Sequence, residues 1–271
     1  MLRAFLGFLA LILCTLTTTG IAQEFRVHTR VWDLGVSTQP VSYSLTLWHA
    51  GKIYDVIHSA GEVTILEPAQ RRCWVMNSDK NLLTSVDFDE LKHLLRGAEE
   101  RLSLRVRELD AKSNTSKDLV ESLRSQLHPQ FVTQFDASQH RLSLDSKLLS
   151  YRVRGQSQVP PEAIEAFLNY ADWACRLNFV LHPQPVFPSA RLELNQQLRK
   201  LRLFPIEVAL RTQLDQPLNL RAEHELAWNL DARDRASIHL WESQLRDSKL
   251  QKVSLAEYRR AALSPQLAKT R

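Results

Sequence analysis

The chain has 271 residues, 44% of them hydrophobic, and a formal charge of +5. That length suits one large domain or two small ones, and so small and scattered a charge argues against a nucleic-acid partner. The seven glycines do not cluster, which argues against phosphate-cradling loops. Without paired Cys-x-x-Cys or His-Glu-x-x-His spacing, no metal and no cofactor are expected.

Residues 1–22 read as a secretory signal. Arg3 precedes the apolar run Ala4–Leu16, and Gly20 and Ala22 are the small residues ahead of a cut after Ala22. The run is about 13 residues, short for crossing ~30 Å of hydrocarbon. A retained anchor is one alternative. A lipoprotein signal at Cys14 is another, although Leu13 stands where such a signal needs a small residue. The mature chain of 249 residues (271 − 22) keeps a charge of +4 (34 − 30) and is expected in the periplasm or outside the cell, without a membrane span. Cys73 and Cys175 remain, and an oxidising compartment permits a disulfide between them. Both lie in apolar stretches, where buried free thiols are the simpler state.

From Phe25 to Ser85 the chain reads as an antiparallel meander. Val41, Tyr43, Leu45 and Leu47 alternate with Ser42, Ser44 and Thr46, the period of a half-buried strand. Strands follow at Ile53–Ile57, Glu62–Leu66, Arg72–Asn77 and Leu82–Val86, with a turn at Glu67-Pro68-Ala69-Gln70. Asp87 with Glu90 resembles a reciprocal helix cap. Leu91, Leu95, Ala98, Leu102, Val106 and Leu109 then recur at helical spacing. Asn114-Thr115-Ser116 breaks that helix, and a second runs to Leu127, so residues 87–128 read as a helical insertion.

Strands resume at Phe131–Phe135, Arg141–Leu144 and Leu148–Val153, and Pro160-Pro161-Glu162 opens a helix that stops before Pro183. Pro183, Pro185 and Pro188 make a stiff connector into a short helix around Leu192–Leu201. The clearest strand pair comes next. Phe204, Ile206, Val208, Leu210, Thr212 and Leu214 alternate with polar partners. After Asp215-Gln216-Pro217, Leu218, Leu220, Ala222, His224, Leu226, Trp228 and Leu230 do the same. Asp231 caps a last long helix. The whole predicts one α+β domain over residues 23–271: a curved antiparallel sheet, an unclosed half-barrel, with helices covering one face.

No catalytic motif stands out. Gly155-Gln156-Ser157-Gln158-Val159 lacks the final glycine of a nucleophile elbow. His224 is the polar residue that breaks the pattern, since its parity places it among Leu220, Ala222, Leu226 and Trp228. It reads either as a core histidine with a hydrogen-bond partner or as a polar anchor in a ligand hollow. Carboxylates at Asp87/Asp89/Glu90 and Asp231/Asp234 sit at helix starts, where capping and the helix dipole account for them.

The stretch Leu45–Asn77, LTLWHAGKIYDVIHSAGEVTILEPAQRRCWVMN, resembles the hairpin series of lipoprotein-carrier half-barrels. The later segment FPIEVALRTQ…LNLRAEHELAWNLDARDR is similar to uncharacterised exported proteins of planctomycete bacteria. The carrier resemblance implies a concave apolar sheet, a helical lid and reversible binding of acyl chains. The chain departs from it in the helices Phe88–Leu127 and in its length, and no functional residue carries over.

The expected function is therefore binding of a lipid, an acylated protein or another apolar ligand. Its hollow would be lined by Ile206, Leu210, Leu220, Leu226 and Trp228, with His224 in the wall. The alternative is an envelope scaffold or interaction module whose own helices fill that face.

Overall fold

The computed structural model describes residues 24–112, 117–182, 186–214, 217–246 and 249–263. Residues 1–22, read above as a signal, the expected Asn114–Ser116 break, the Pro183 and Pro185 connector and the Asp215-Gln216 turn lie outside the described residues.

The meander forms as the alternation predicts. β1 (Phe25–Asp33), β2 (Ser42–His49), β3 (Lys52–Ile57), β4 (Glu62–Glu67), β5 (Arg72–Asn77) and β6 (Leu82–Asp87) pair in sequence order. Ala50 and Gly51, with φ of 49° and 76°, turn β2 into β3 through the left-handed pair that a two-residue hairpin requires.

Helices α1 (Phe88–Asp110) and α2 (Lys117–Leu127) then carry the chain across the molecule to β7 (Val132–Asp136), which takes the far edge of the sheet. β8 (Arg141–Asp145) and β9 (Leu149–Gln156) turn back towards the middle. After α3 (Pro161–Leu181) and α4 (Pro188–Leu201) come β10 (Phe204–Thr212) and β11 (Asn219–Ala227). α5 (Ala232–Arg246), the short β12 (Gln251–Lys252) and α6 (Leu255–Leu263) complete the described chain.

The result is one 12-stranded sheet in the order β12-β6-β5-β4-β3-β2-β1-β11-β10-β9-β8-β7. Every neighbouring pair is antiparallel except β12 with β6. The α+β architecture is present: an open, curved sheet with most of its helices over one face and, against expectation, α5 on the other. The first strand joins its halves, because β1 pairs with β2 on one side and with β11 on the other.

The main core lies between the sheet and α1, α3, α4 and α6. Phe25, Cys73, Val75, Leu144 and Phe204 from the strands meet Leu91, Leu168, Leu194 and Leu198 from the helices, all fully buried. Trp48 stacks on Phe25 at 4.1 Å and Phe88 on Trp173 at 3.7 Å, so aromatic plates fill the space beneath the helices. The opposite face also has a core. Leu47, Tyr54, Ile65, Met76 and Leu83 pack against Ile238 and Trp241 of α5. With cover on both sides, all six residues of β4 are buried. Trp48 and Trp74 thus lie on opposite faces and both serve packing.

One local expectation is corrected, and one alternative falls away. Asp87 occupies the position before α1 but makes no side-chain cap. Its carboxylate instead accepts from Arg72 Nε at 2.9 Å, across the rung that pairs the two residues. A cation one strand away outcompetes the backbone amides for an exposed carboxylate. Asp231, by contrast, caps α5 as expected, accepting from the amides of Arg233 and Asp234, while Asp234 accepts from the Asp231 amide. The disulfide does not form: Cys73 on β5 and Cys175 on α3 are both free. Burial pushes their thiols up to about 12 and about 11.

Candidate functional site

The β10–β11 pair is strongly alternating in sequence and interrupted in space. Its ladder runs from Arg211–Asn219 to Glu207–Glu223 and stops there. β11 continues through Ala227 but is paired only to β1, and Phe204 and Pro205 of β10 pair only to β9. The cause is local. The β10–β9 register shifts between Pro205 and Glu207, which makes Ile206 the extra residue of a bulge. A bulge bends its strand and ends pairing, and Pro205 has no N–H to donate. A split opens between two strands in the middle of the sheet.

Phe167 of α3 lies beneath this split. Its ring contacts Phe204 at 4.7 Å on one side and His224 at 5.4 Å, edge-on, at the other. The opening above is a solvent-open depression of about 480 Å³, bordered by Ile206, His224, Leu226 and Trp228 and rimmed by Arg30 and Arg154. Trp228 is 42% exposed, unusual for so large an apolar side chain.

His224 is the polar group at the centre. Nδ1 is 2.9 Å from Oγ1 of Thr29, its direct cross-strand partner on β1. Nε2 is buried and has no partner among the described residues. Burial, helped by the positive charge of Arg191, pushes the imidazole down to about 3, so the ring is neutral at physiological pH. A neutral ring engaged at Nδ1 has one hydrogen-bonding valence left, at Nε2.

The rim is charged and self-compensating. Glu207 and Glu223 are direct cross-strand partners, a like-charge pair that weakens the last rung before the split. Arg154 lies 3.2 Å from Glu207, and Arg221 and Arg30 lie 3.4 and 3.6 Å from Glu223. Arg221 also stacks over Trp32 at 4.5 Å. All these groups stand on the face opposite the main core, alongside Arg141, which pairs in register with Arg154.

Four of the six residues singled out in the sequence thus come together: Ile206, His224, Leu226 and Trp228 border one depression. Leu210 and Leu220 face each other across an intact rung further along the ladder. Leu210 packs against the main core, and Leu220 is half-buried. The space expected beneath the helices is occupied by Phe167, Phe204 and their neighbours. The opening lies between strands instead. Alternation alone places Glu223 and Glu225 on the face opposite His224, and only the register reveals that Glu207 meets Glu223.

Elsewhere, Ser157 Oγ sits 3.0 Å from His140 Nε2 in an exposed contact, and no acid bonds that histidine among the described residues. No group of three or more His, Cys, Asp or Glu able to hold a metal occurs among the described residues, and no described helix is long and apolar enough to cross a membrane. No protein-family model and no curated protein matches this chain.

Proposed function

We propose that this is an exported binding protein whose ligand enters the split between β10 and β11. The observation that carries the reading is His224. A buried ring nitrogen without a partner, beside an exposed tryptophan and an unpaired bulge, costs stability that an occupant would restore. The walls are half apolar and half charged, so the ligand presents an apolar portion to Trp228, Leu226 and Ile206 together with a hydrogen-bonding group for Nε2. An acylated or lipidic molecule with a polar head fits this description better than a bare hydrocarbon chain.

The test is native mass spectrometry of freshly purified protein, followed by titration of Trp228 fluorescence with the species recovered. A bound mass that disappears in Trp228→Ala supports the reading. An empty protein whose fluorescence answers to no lipid or peptide overturns it.

A second reading, a scaffold without a small ligand, draws on the filling of the helix-covered face by the protein's own side chains. It expects protein crosslinks through α1 or α5 and no dependence on His224.

A further inference from the structure

We infer that the split is an acceptor for an extended polypeptide strand, one that carries a basic side chain between apolar ones. The inference rests on the reading of the split as a binding site and takes a polypeptide strand, the backbone of an acylated protein, in place of a free lipid as its ligand.

Three observations point to a strand. First, the two segments that face each other across the split, Phe204–Ile206 and His224–Ala227, are each held by a ladder on their outer side only. Their inner sides are strand edges within a sheet, and an unpaired edge is a template for another backbone. Second, the rung that closes the split brings Glu207 and Glu223 together, held by Arg154, Arg221 and Arg30, so a strand that lengthens the slot parts this rung and meets two carboxylates. Third, the floor is apolar and aromatic, with Phe167 set between Phe204 and His224, and it offers one polar valence at His224 Nε2.

Register then specifies the occupant. In a strand lying between β10 and β11, side chains alternate between the two faces of the sheet. A residue at the level of Glu207 and Glu223 points to their face and is flanked by both carboxylates, with Glu225 one pleat away. A lysine or arginine there adds a cation between the two carboxylates, beside the arginines that already hold them. Its neighbours on the inserted strand point to the other face, against Phe167 and Leu226, and are apolar. The strand therefore reads apolar-basic-apolar. Arg30, Arg154 and Arg221, which now hold the glutamates, keep the empty site compensated.

The test uses the signal-free chain and three capped pentapeptides: Val-Lys-Val-Lys-Val, Val-Glu-Val-Glu-Val and Val-Lys-Pro-Lys-Val. Amide NMR titration into the millimolar range reads both affinity and place. The lysine peptide is expected to bind about fivefold or more tighter than the glutamate peptide. Its contacts should fall on the amides of Phe204, Ile206, Glu207 and 223–227, and the proline peptide should bind at least about tenfold more weakly, because it lacks a ladder donor. Glu207→Gln/Glu223→Gln, which keeps shape and removes charge, should erase the preference for lysine while retaining binding.

Equal affinity for the three peptides overturns the inference, and so does a footprint on another edge such as β7. A lysophosphatidylcholine titration separates the two levels. If the lipid shifts the same amides and the peptides do not, the strand acceptor is wrong and the binding site stands. If neither does, both fall.

Discussion

Thr46 and Asp55 face each other on β2 and β3, and the threonine hydroxyl donates to Asp55 Oδ1 at 2.7 Å in the middle of the helix-covered face. The Tyr170 hydroxyl bonds the same carboxyl. Burial nevertheless prevails over both hydrogen bonds and, with Glu62 nearby, raises Asp55 from 3.8 to about 6. The folded protein thus holds this proton more tightly than the unfolded chain. The associated stability is complete below pH 3.8 and is lost as pH rises through about 6. Asp55→Asn should leave urea stability at pH 4 unchanged and add about 2 kcal/mol at pH 8. Identical denaturation midpoints at pH 8 would contradict the assignment.

His224 has the opposite sign. Its folded value, about 3, lies below the ordinary 6.5, so its contribution is complete above pH 6.5 and is lost as pH falls towards 3. His224→Leu removes the unpartnered nitrogen and should gain about 1 kcal/mol at neutral pH while flattening the acid limb of the stability curve. The same variant should lose ligand response at Trp228. A variant that is less stable at pH 7 would show that Nε2 is already satisfied in the empty protein.

Arg26 ties the sheet to the head of α5. Its Nη1 reaches Asp231 at 2.8 Å and Asp234 at 2.6 Å, and the Asp234 side chain is only 5% exposed. Arg26→Ala strands that buried carboxylate without its cation, at a cost of about 2 kcal/mol. Hydrogen exchange should quicken across Ala232–Arg246 first. Uniform acceleration through the whole sheet would mean that α5 is not a separately held element.

The two cysteines give a chemical readout. Both thiols are raised, and Cys73 is fully buried. Iodoacetamide at pH 8 should label neither rapidly in the native protein and both after unfolding, with no mass change on reduction. A loss of two mass units in the purified protein would establish a bridge instead.

Alternation made most strands legible. β2 to β10 lie where period-two runs and turn residues place them, because a pleated strand must segregate its side chains to bury one face, whereas β11 stops at Ala227, short of the run to Leu230, and Leu230 packs in the core beneath α5. The helices α1, α3 and α5 were equally plain from their spacing. Asp87 shows the limit of such local reading: the cap signature was present, but Arg72 on a neighbouring strand took the carboxylate. The disulfide was open in sequence because two apolar contexts say nothing about distance.

His224, Leu226, Trp228 and Ile206 were identifiable by parity, yet the reason they matter was not. Parity is a property of one strand and is written in its own residues. Which strands become neighbours, where a rung is missing and which charges confront each other depend on the packing of segments far apart in the chain. The sequence by itself therefore determined the strands, the helices and the apolar face. Tertiary pairing decided that β1 joins the two halves, that α5 covers the second face, and that a bulge at Ile206 parts β10 from β11, because register arises only when two backbones meet.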